Sequence, residues 1–137
     1  MDNLQPPNKP EILEKELSYK LYGIFLKVAK DYGPFGKEEL YQNACEEELR
    51  ISRIPYRSRP AVPIISKTTN KKMGIFVPDL IVAEKIIVEI KAQKQLPNEA
   101  TYQLLKYLEF SNYQVGYLVN FGLAHIQIIR RVHSKKR

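Results

Sequence analysis

Three charged residues stand where the surrounding sequence is otherwise apolar. Asp79 precedes Leu80-Ile81-Val82, and Glu89 and Lys91 close the run Ile86-Ile87-Val88. Short runs rich in Val and Ile read as strands, and Glu84-Lys85 between them reads as a tight turn, so the two runs form a hairpin. Glu89 and Lys91 are two positions apart and share one strand face, while Ile90 takes the other. A lone buried charge is costly, and charged side chains are seldom buried unless paired. One reading is a strand end that reaches solvent, with Glu89 and Lys91 as a surface ion pair. The other is a metal site in which two carboxylates and an ammonium converge. The register of the turn separates them. A loop of Glu84-Lys85 alone sets Asp79 opposite Ile90, whereas a three-residue loop, Ala83-Glu84-Lys85, sets it opposite Glu89.

The rest of the chain must hold that hairpin. A first helix is expected over 11–32, because Leu13, Leu17, Leu21, Ile24 and Val28 recur at three- and four-residue steps, with Phe25 beside them. Gly33-Pro34 ends it. A second helix over 37–52 places Glu38, Tyr41, Gln42, Cys45 and Leu49 on one face. Glu38 in its first turn has two readings, a carboxylate favoured by the helix N-terminus or one aimed inward at a site. Glu46, Glu47 and Glu48 read as a solvated face, and Cys45 as a small core residue. Pro55, Pro60 and Pro63 leave room only for an edge or interrupted strand over 54–66. One strand is expected over 73–82 and the next over 86–92. A third helix opens at Leu96-Pro97-Asn98-Glu99, with Asn98 as a candidate N-cap, and runs to about Asn112. Strands over 114–121 and 124–132 close the order. A helix between strands implies a crossover, hence a mixed sheet with helices on its faces. His125 and His133 read as a strand and a tail residue.

The chain has 137 residues, 44% hydrophobic and 27% charged, which suits one domain with a real core. A single domain over 11–133 is expected, between a disordered polar segment over 1–10 and a basic tail over 134–137. The single cysteine excludes an internal disulfide and a multi-Cys zinc site. Met1 to Pro7 has no basic and apolar signal-peptide pattern, and no apolar run approaches a membrane span, so the cytoplasm is expected and no membrane role.

The net charge of +7 is concentrated. Seven cations and no acid lie between Arg50 and Lys72, and five cations and no acid between His125 and Arg137. Clustered positive charge is the footprint of a polyanion partner. Arg57, Arg59, Lys71, Lys72, Arg130 and Arg131 are the candidate nucleic-acid contacts, against the alternative of a solubilising surface.

Pro78-Asp79 followed by Glu89-Ile90-Lys91 resembles the PD-(D/E)xK signature of restriction-endonuclease-like nucleases. From about Leu17 to Val132 the chain resembles the GxxExxY family of that superfamily. Tyr32-Gly33-Pro34 precedes Glu38-Glu39-Leu40-Tyr41, which is similar to ExxY. Asp79-Leu80-Ile81-Val82 resembles the family's DLLV, and Ile87-Val88-Glu89-Ile90-Lys91-Ala92 its IVELKA. Gln103-Leu104-Leu105-Lys106-Tyr107-Leu108 resembles QLLTYL, and Gly116 to Gly122 resembles GLLINFG. The motif's glycine falls on Phe35, with Gly36 one place late, and Phe76-Val77-Pro78 replaces the usual basic or small residues. The resemblance implies an α/β fold, a mixed central sheet flanked by helices around a restriction-endonuclease-like core. It implies a nuclease using Mg²⁺ or Mn²⁺, with Asp79 and Glu89 as ligands. Lys91 would orient water or stabilise charge on phosphate, Glu38 would ligate or orient water, and Gln103 and Tyr107 would line the site. The competing readings are a catalytically silent nucleic-acid-binding module and an accessory subunit acting only in a complex. A homodimer or other protein partner stays open.

Overall fold

A computed structural model of the chain describes residues 14–135. The expected segment 1–10, the helix start at Glu11 with Leu13, and tail residues Lys136 and Arg137 lie outside the described residues.

Helices α1 (Lys15–Tyr32) and α2 (Glu38–Ile51) follow the apolar stripes of the sequence. α1 buries Leu21, Ile24, Phe25 and Val28, and stops at Gly33, whose φ of 68° uses glycine's left-handed freedom. α2 buries Tyr41, Gln42, Ala44, Cys45 and Leu49. There follow β1 (Tyr56–Ser58), β2 (Val62–Ile65), β3 (Lys72–Phe76), β4 (Leu80–Val82) and β5 (Ile86–Lys91). Then come α3 (Asn98–Phe110), β6 (Val115–Asn120) and β7 (Gln127–Val132). Pro97, not Asn98, stands at the N-cap of α3, and Asn98 is already helical.

The strand expected over 73–82 and the edge or interrupted strand expected over 54–66 are each divided, and their halves go to different sheets. β1 and β4 pair in the main sheet, whereas β2 and β3 form a separate antiparallel hairpin. The breaks fall at Arg59-Pro60-Ala61 and at Val77-Pro78. Proline has no N–H to give to a ladder, so pairing lapses at both points and resumes with a new partner. Arg59 at the first break has a left-handed φ of 47°.

The main sheet has the order β1-β4-β5-β6-β7. β5 and β6 are parallel, joined by the α3 crossover, and the other neighbours are antiparallel. This is the mixed α/β sheet flanked by helices that the sequence leads one to expect. The helix pair α1/α2 covers one face, packing on Leu80, Val82, Ile86, Val88, Ile90, Tyr117 and Val119. α3 and the β2–β3 hairpin cover the other, packing on Ile81, Ile87 and Leu118. Gly116 lets α3 approach closely, since a Cβ there would lie 2.7 Å from Leu104 Cδ1.

Candidate active site

The turn between β4 and β5 sets the chemistry of this end of the sheet. Leu80 pairs with Val88 and Val82 with Ile86, which leaves the three residues Ala83-Glu84-Lys85 in the loop. Continued by one residue, that register sets Asp79 opposite Glu89. The Lys85 N–H donates to the Val82 carbonyl at 3.0 Å, across Ala83 and Glu84 at left-handed φ of 54° and 55°. Neither is glycine, and such backbone costs about 1–2 kcal/mol per residue. Tertiary contacts hold it. The Ala83 N–H donates to the Pro55 carbonyl at 2.7 Å, and Arg57 grips the Glu84 carboxylate at 2.8 and 3.0 Å while donating to the Tyr113 hydroxyl.

Residues opposite one another in an antiparallel pair project to the same face. Asp79 aligns with Ile81, and Glu89 and Lys91 align with Ile87, so all three project to the α3 face. The Ile90 N–H donates to Asp79 Oδ2 at 2.6 Å, which ties that carboxylate to the neighbouring strand. The Glu89 carboxyl is half-buried and pushed up from its ordinary 4.5 to about 8. Burial is the largest cause, the nearby Asp79 carboxylate adds to it, and the Lys91 ammonium opposes it. The two acids also lie within hydrogen-bonding reach. Without a cation the pair therefore keeps one proton near neutral pH, as two carboxylates sharing a site do.

Lys91 is held by its backbone. Its carbonyl accepts the Phe121 N–H at 2.8 Å, and Lys91 pairs with Asn120 in the parallel ladder. Fully buried Asn120 clamps the next turn: its Oδ1 accepts from the Gln93 and Gly122 N–H groups, and its Nδ2 donates to the Gln93 carbonyl.

From α3, Tyr107 reaches the pair. Its hydroxyl is held above its ordinary pKa by burial and then by the Glu89 charge, partly offset by a hydrogen bond with Gln103. The Tyr107 ring stacks on Phe76 at 4.0 Å. Gln103 is thus placed next to Tyr107, on an exposed turn of the helix.

Glu38 is placed differently from the other site candidates. It is exposed at the first turn of α2, and that helix packs on the opposite face of the sheet from the Asp79 and Glu89 side chains. The residue of α2 that reaches Asp79 is Gln42, one turn further on. Its Nε2 donates to the Asp79 carbonyl at 2.8 Å, and its Oε1 accepts from Arg59 at 3.2 Å. The Arg59 N–H donates to the same Asp79 carbonyl at 3.0 Å. Sequence reasoning placed Gln42 only on a core face; a buried amide among apolar neighbours was the available signal. Glu46 and Glu48 are also not simply solvated, since Ser58 donates to Glu46 at 2.7 Å and Lys27 pairs with Glu48 at 3.0 Å.

The six candidate nucleic-acid contacts do not form one patch. Arg57 is committed to Glu84, and Arg59 to Glu39 at 2.6 Å. Arg130 pairs across from Tyr117 and Arg131 from Gly116, so the two project to opposite faces of the sheet. Arg130 borders a groove with Ser18, Tyr19 and Tyr22 of α1, away from the carboxylates. Lys71 and Lys72 are exposed at the tip of the β2–β3 hairpin.

Among the described residues no group of three or more His, Cys, Asp or Glu side chains gathers as a metal cage. Asp79 and Glu89 supply two hard oxygen donors. That suits a cation such as Mg²⁺, which takes one or two carboxylates, keeps several waters and accepts substrate phosphate oxygens, and it does not suit a closed zinc site. No helix among the described residues is long and apolar enough to cross a membrane. No curated protein and no solved structure matches the chain. A family model described as the PD-(D/E)XK nuclease superfamily matches residues 15–132.

Proposed function

Because the chain belongs to the PD-(D/E)XK nuclease superfamily, we propose that it is a divalent-cation-dependent nuclease acting on phosphodiester bonds of nucleic acid. The observation that carries this reading is the facing of Asp79 and Glu89 on adjacent strands, with Lys91 next along the same face. Within the superfamily, the ExxY-like Glu38 to Tyr41 and the Gly116 to Gly122 stretch favour the GxxExxY group. Residues 11–133 act as one nuclease-like domain in this reading, in the cytoplasm.

Asp79 and Glu89 would hold Mg²⁺ or Mn²⁺ through oxygen, and the chemistry so supplied would be water activation and neutralisation of charge on the phosphate. The chain's own groups do the rest. The Ile90 N–H and the bonds to the Asp79 carbonyl hold Asp79 in place before substrate arrives. Glu89 would have to lose its proton to ligate a cation, so affinity for the metal should rise with pH. Lys91 projects its ammonium from the strand end, where it meets a non-bridging phosphate oxygen and is most useful when charge there is greatest. Tyr107, kept in its protonated form, donates its hydroxyl from the α3 side with Gln103 beside it. Glu38, at the mouth of α2, acts only on groups that substrate brings near it.

The test is a panel of single- and double-stranded DNA and RNA with Mg²⁺ or Mn²⁺, each run against EDTA. Cleavage that EDTA abolishes and Asp79→Asn removes supports the site. A wild type that cuts nothing favours the silent binding module or the partner-dependent subunit.

A further inference from the structure

The β2–β3 hairpin is not part of the main sheet, and its two faces differ. The inner face is spent on α3. Val62 and Phe76 are buried there, with the Phe76 ring on Tyr107, and Lys67 is anchored to Glu109 at 2.7 Å. The outer face is bare and apolar. Met73 is 71% exposed, Ile75 52% and Val77 51%, and Pro63, paired across from Ile75, is exposed beside them. At the tip, Lys71 and Lys72 are exposed and make no ion pair among the described residues. No acid occurs anywhere from Arg50 to Pro78. The strand carrying this face ends at Phe76, three residues before Asp79.

We propose that the β2–β3 hairpin is an arm that engages double-stranded nucleic acid, with Lys71 and Lys72 on the phosphates and Met73 and Ile75 set into the groove, leading the duplex to Asp79. The inference rests on the nuclease reading and gives it a substrate class. Charge selects the kind of partner. An apolar strip that ends in lysines without an ion pair, on a segment that carries no acid of its own, complements a polyanion better than an ordinary protein surface. The side chains then select duplex over single strand. Unpaired bases are held by stacking on exposed aromatic rings, and this face has none. Met, Ile and Pro are the residues that wedge against base steps from a groove. A two-stranded ribbon is also a shape that duplex grooves accept. Reach is adequate: from Met73 to Asp79 an extended chain spans at most about 20 Å, at ~3.3 Å per residue. The arm would therefore contact the duplex within roughly six base pairs of the bond that is cut, at ~3.4 Å per pair.

Binding of a short duplex and of its separate strands is measured in EDTA, where nothing is cut, over a range of salt. Three proteins are compared: wild type, Lys71→Gln/Lys72→Gln, and Met73→Gln/Ile75→Gln. All four positions are exposed, and thermal melting monitored by circular dichroism checks that each variant folds. The lysine variant should flatten the plot of log affinity against log salt by about 0.9 per lost duplex contact. The Met73/Ile75 variant should weaken duplex binding about tenfold with the salt slope unchanged, a typical scale for lost groove contacts, and leave single-strand binding as it was. Equal losses on duplex and single strand overturn the substrate class. Wild-type duplex affinity in both variants overturns the arm, as does a Met73/Ile75 variant whose only change is loss of self-association in sedimentation. Cleavage by the wild type with Mg²⁺, assayed separately, keeps the two readings apart: a protein that cuts while the hairpin variants bind like wild type loses the arm and keeps the nuclease.

Discussion

The two faces of β5 have nearly the same start and opposite ends. Ile86, Val88 and Ile90 face the helix pair α1/α2 and are fully or almost fully buried. Ile87, Glu89 and Lys91 face α3, and only the first is covered completely. Two helices and a stacked Tyr41–Phe121 pair at 4.6 Å close the first face to its end. One helix and a two-stranded hairpin cover the second, and they stop short of its last turn of strand. An apolar layer is thus carried along the whole strand on one side, and on the other it gives way to two carboxylates and an ammonium. The difference teaches that the charged residues are tolerated because cover is incomplete there. A site with a raised Glu89 pKa needs partial burial: full cover would exclude substrate, and full exposure would leave Glu89 an ordinary surface acid.

The largest effect expected tests the closed face. Ile90→Asp places a lone carboxylate in that apolar layer, at a cost of roughly 3–5 kcal/mol or more. That is a large share of the ~5–15 kcal/mol typical of a domain. Circular dichroism should show an unfolded or barely stable protein. A cooperative melt near wild type would mean the two faces are equally permissive.

Next in size is Lys91→Ala, on the open face one residue away. It should keep the fold and nucleic-acid affinity and lose cleavage by ~10²-fold or more, the scale of a lost transition-state contact. Glu89→Ala should lose cleavage as well, through the cation. If the wild type cuts and Lys91→Ala cuts equally well, the assigned role of Lys91 is wrong.

A third test uses stability and needs no substrate. A folded-state carboxyl pKa raised from 4.5 to about 8 means that folding favours the protonated form. The contribution of Glu89 to stability is then whole below about pH 4.5 and is lost as pH rises towards 8. Glu89→Gln carries no such titration. In EDTA it should match the wild type near pH 4 and exceed it by on the order of 1–3 kcal/mol near pH 8, allowing for the group's partial exposure. Excess Mg²⁺ should narrow the gap by stabilising only the wild type. Parallel pH profiles for the two proteins in EDTA would show that Glu89 is not strained by its site.

The smallest effect concerns how tightly the open face is covered. Gly116→Ala sets a methyl against Leu104. Leu104 is an end group that can shift, so about 1 kcal/mol and a melting temperature lower by a few degrees are expected. Cleavage should hardly change, because Gly116 lies at the start of β6, away from Lys91. A large loss of cleavage would mean that α3 positions Tyr107 and Gln103 more finely than the stacking on Phe76 suggests.

Much of this was legible in the order of residues, because it depends on local pattern. The stripe Leu21-Ile24-Phe25-Val28 gives a helix one buried side wherever it docks, and Val/Ile runs bounded by turn residues pair as strands. The spacing of Glu89 and Lys91 alone puts them on one face, since strand geometry alternates by two. Pro55, Pro60 and Pro63 marked the interrupted strand over 54–66, whereas the break at Val77-Pro78 and the division of each segment between two sheets were not evident, because a ladder's partner is chosen at a distance. Tertiary structure alone decided the register. Two- and three-residue loops were both compatible with the sequence, and contacts from Pro55, Arg57 and Tyr113 hold Ala83 and Glu84 in the left-handed backbone that sets Asp79 against Glu89. It also decided which cations are free. Arg57, Arg59, Lys71 and Lys72 look alike in sequence, yet acids 27 and 20 residues away along the chain engage the first two. A strand's alternation is local, whereas a charge's partner and a turn's support come from wherever the folded chain brings them.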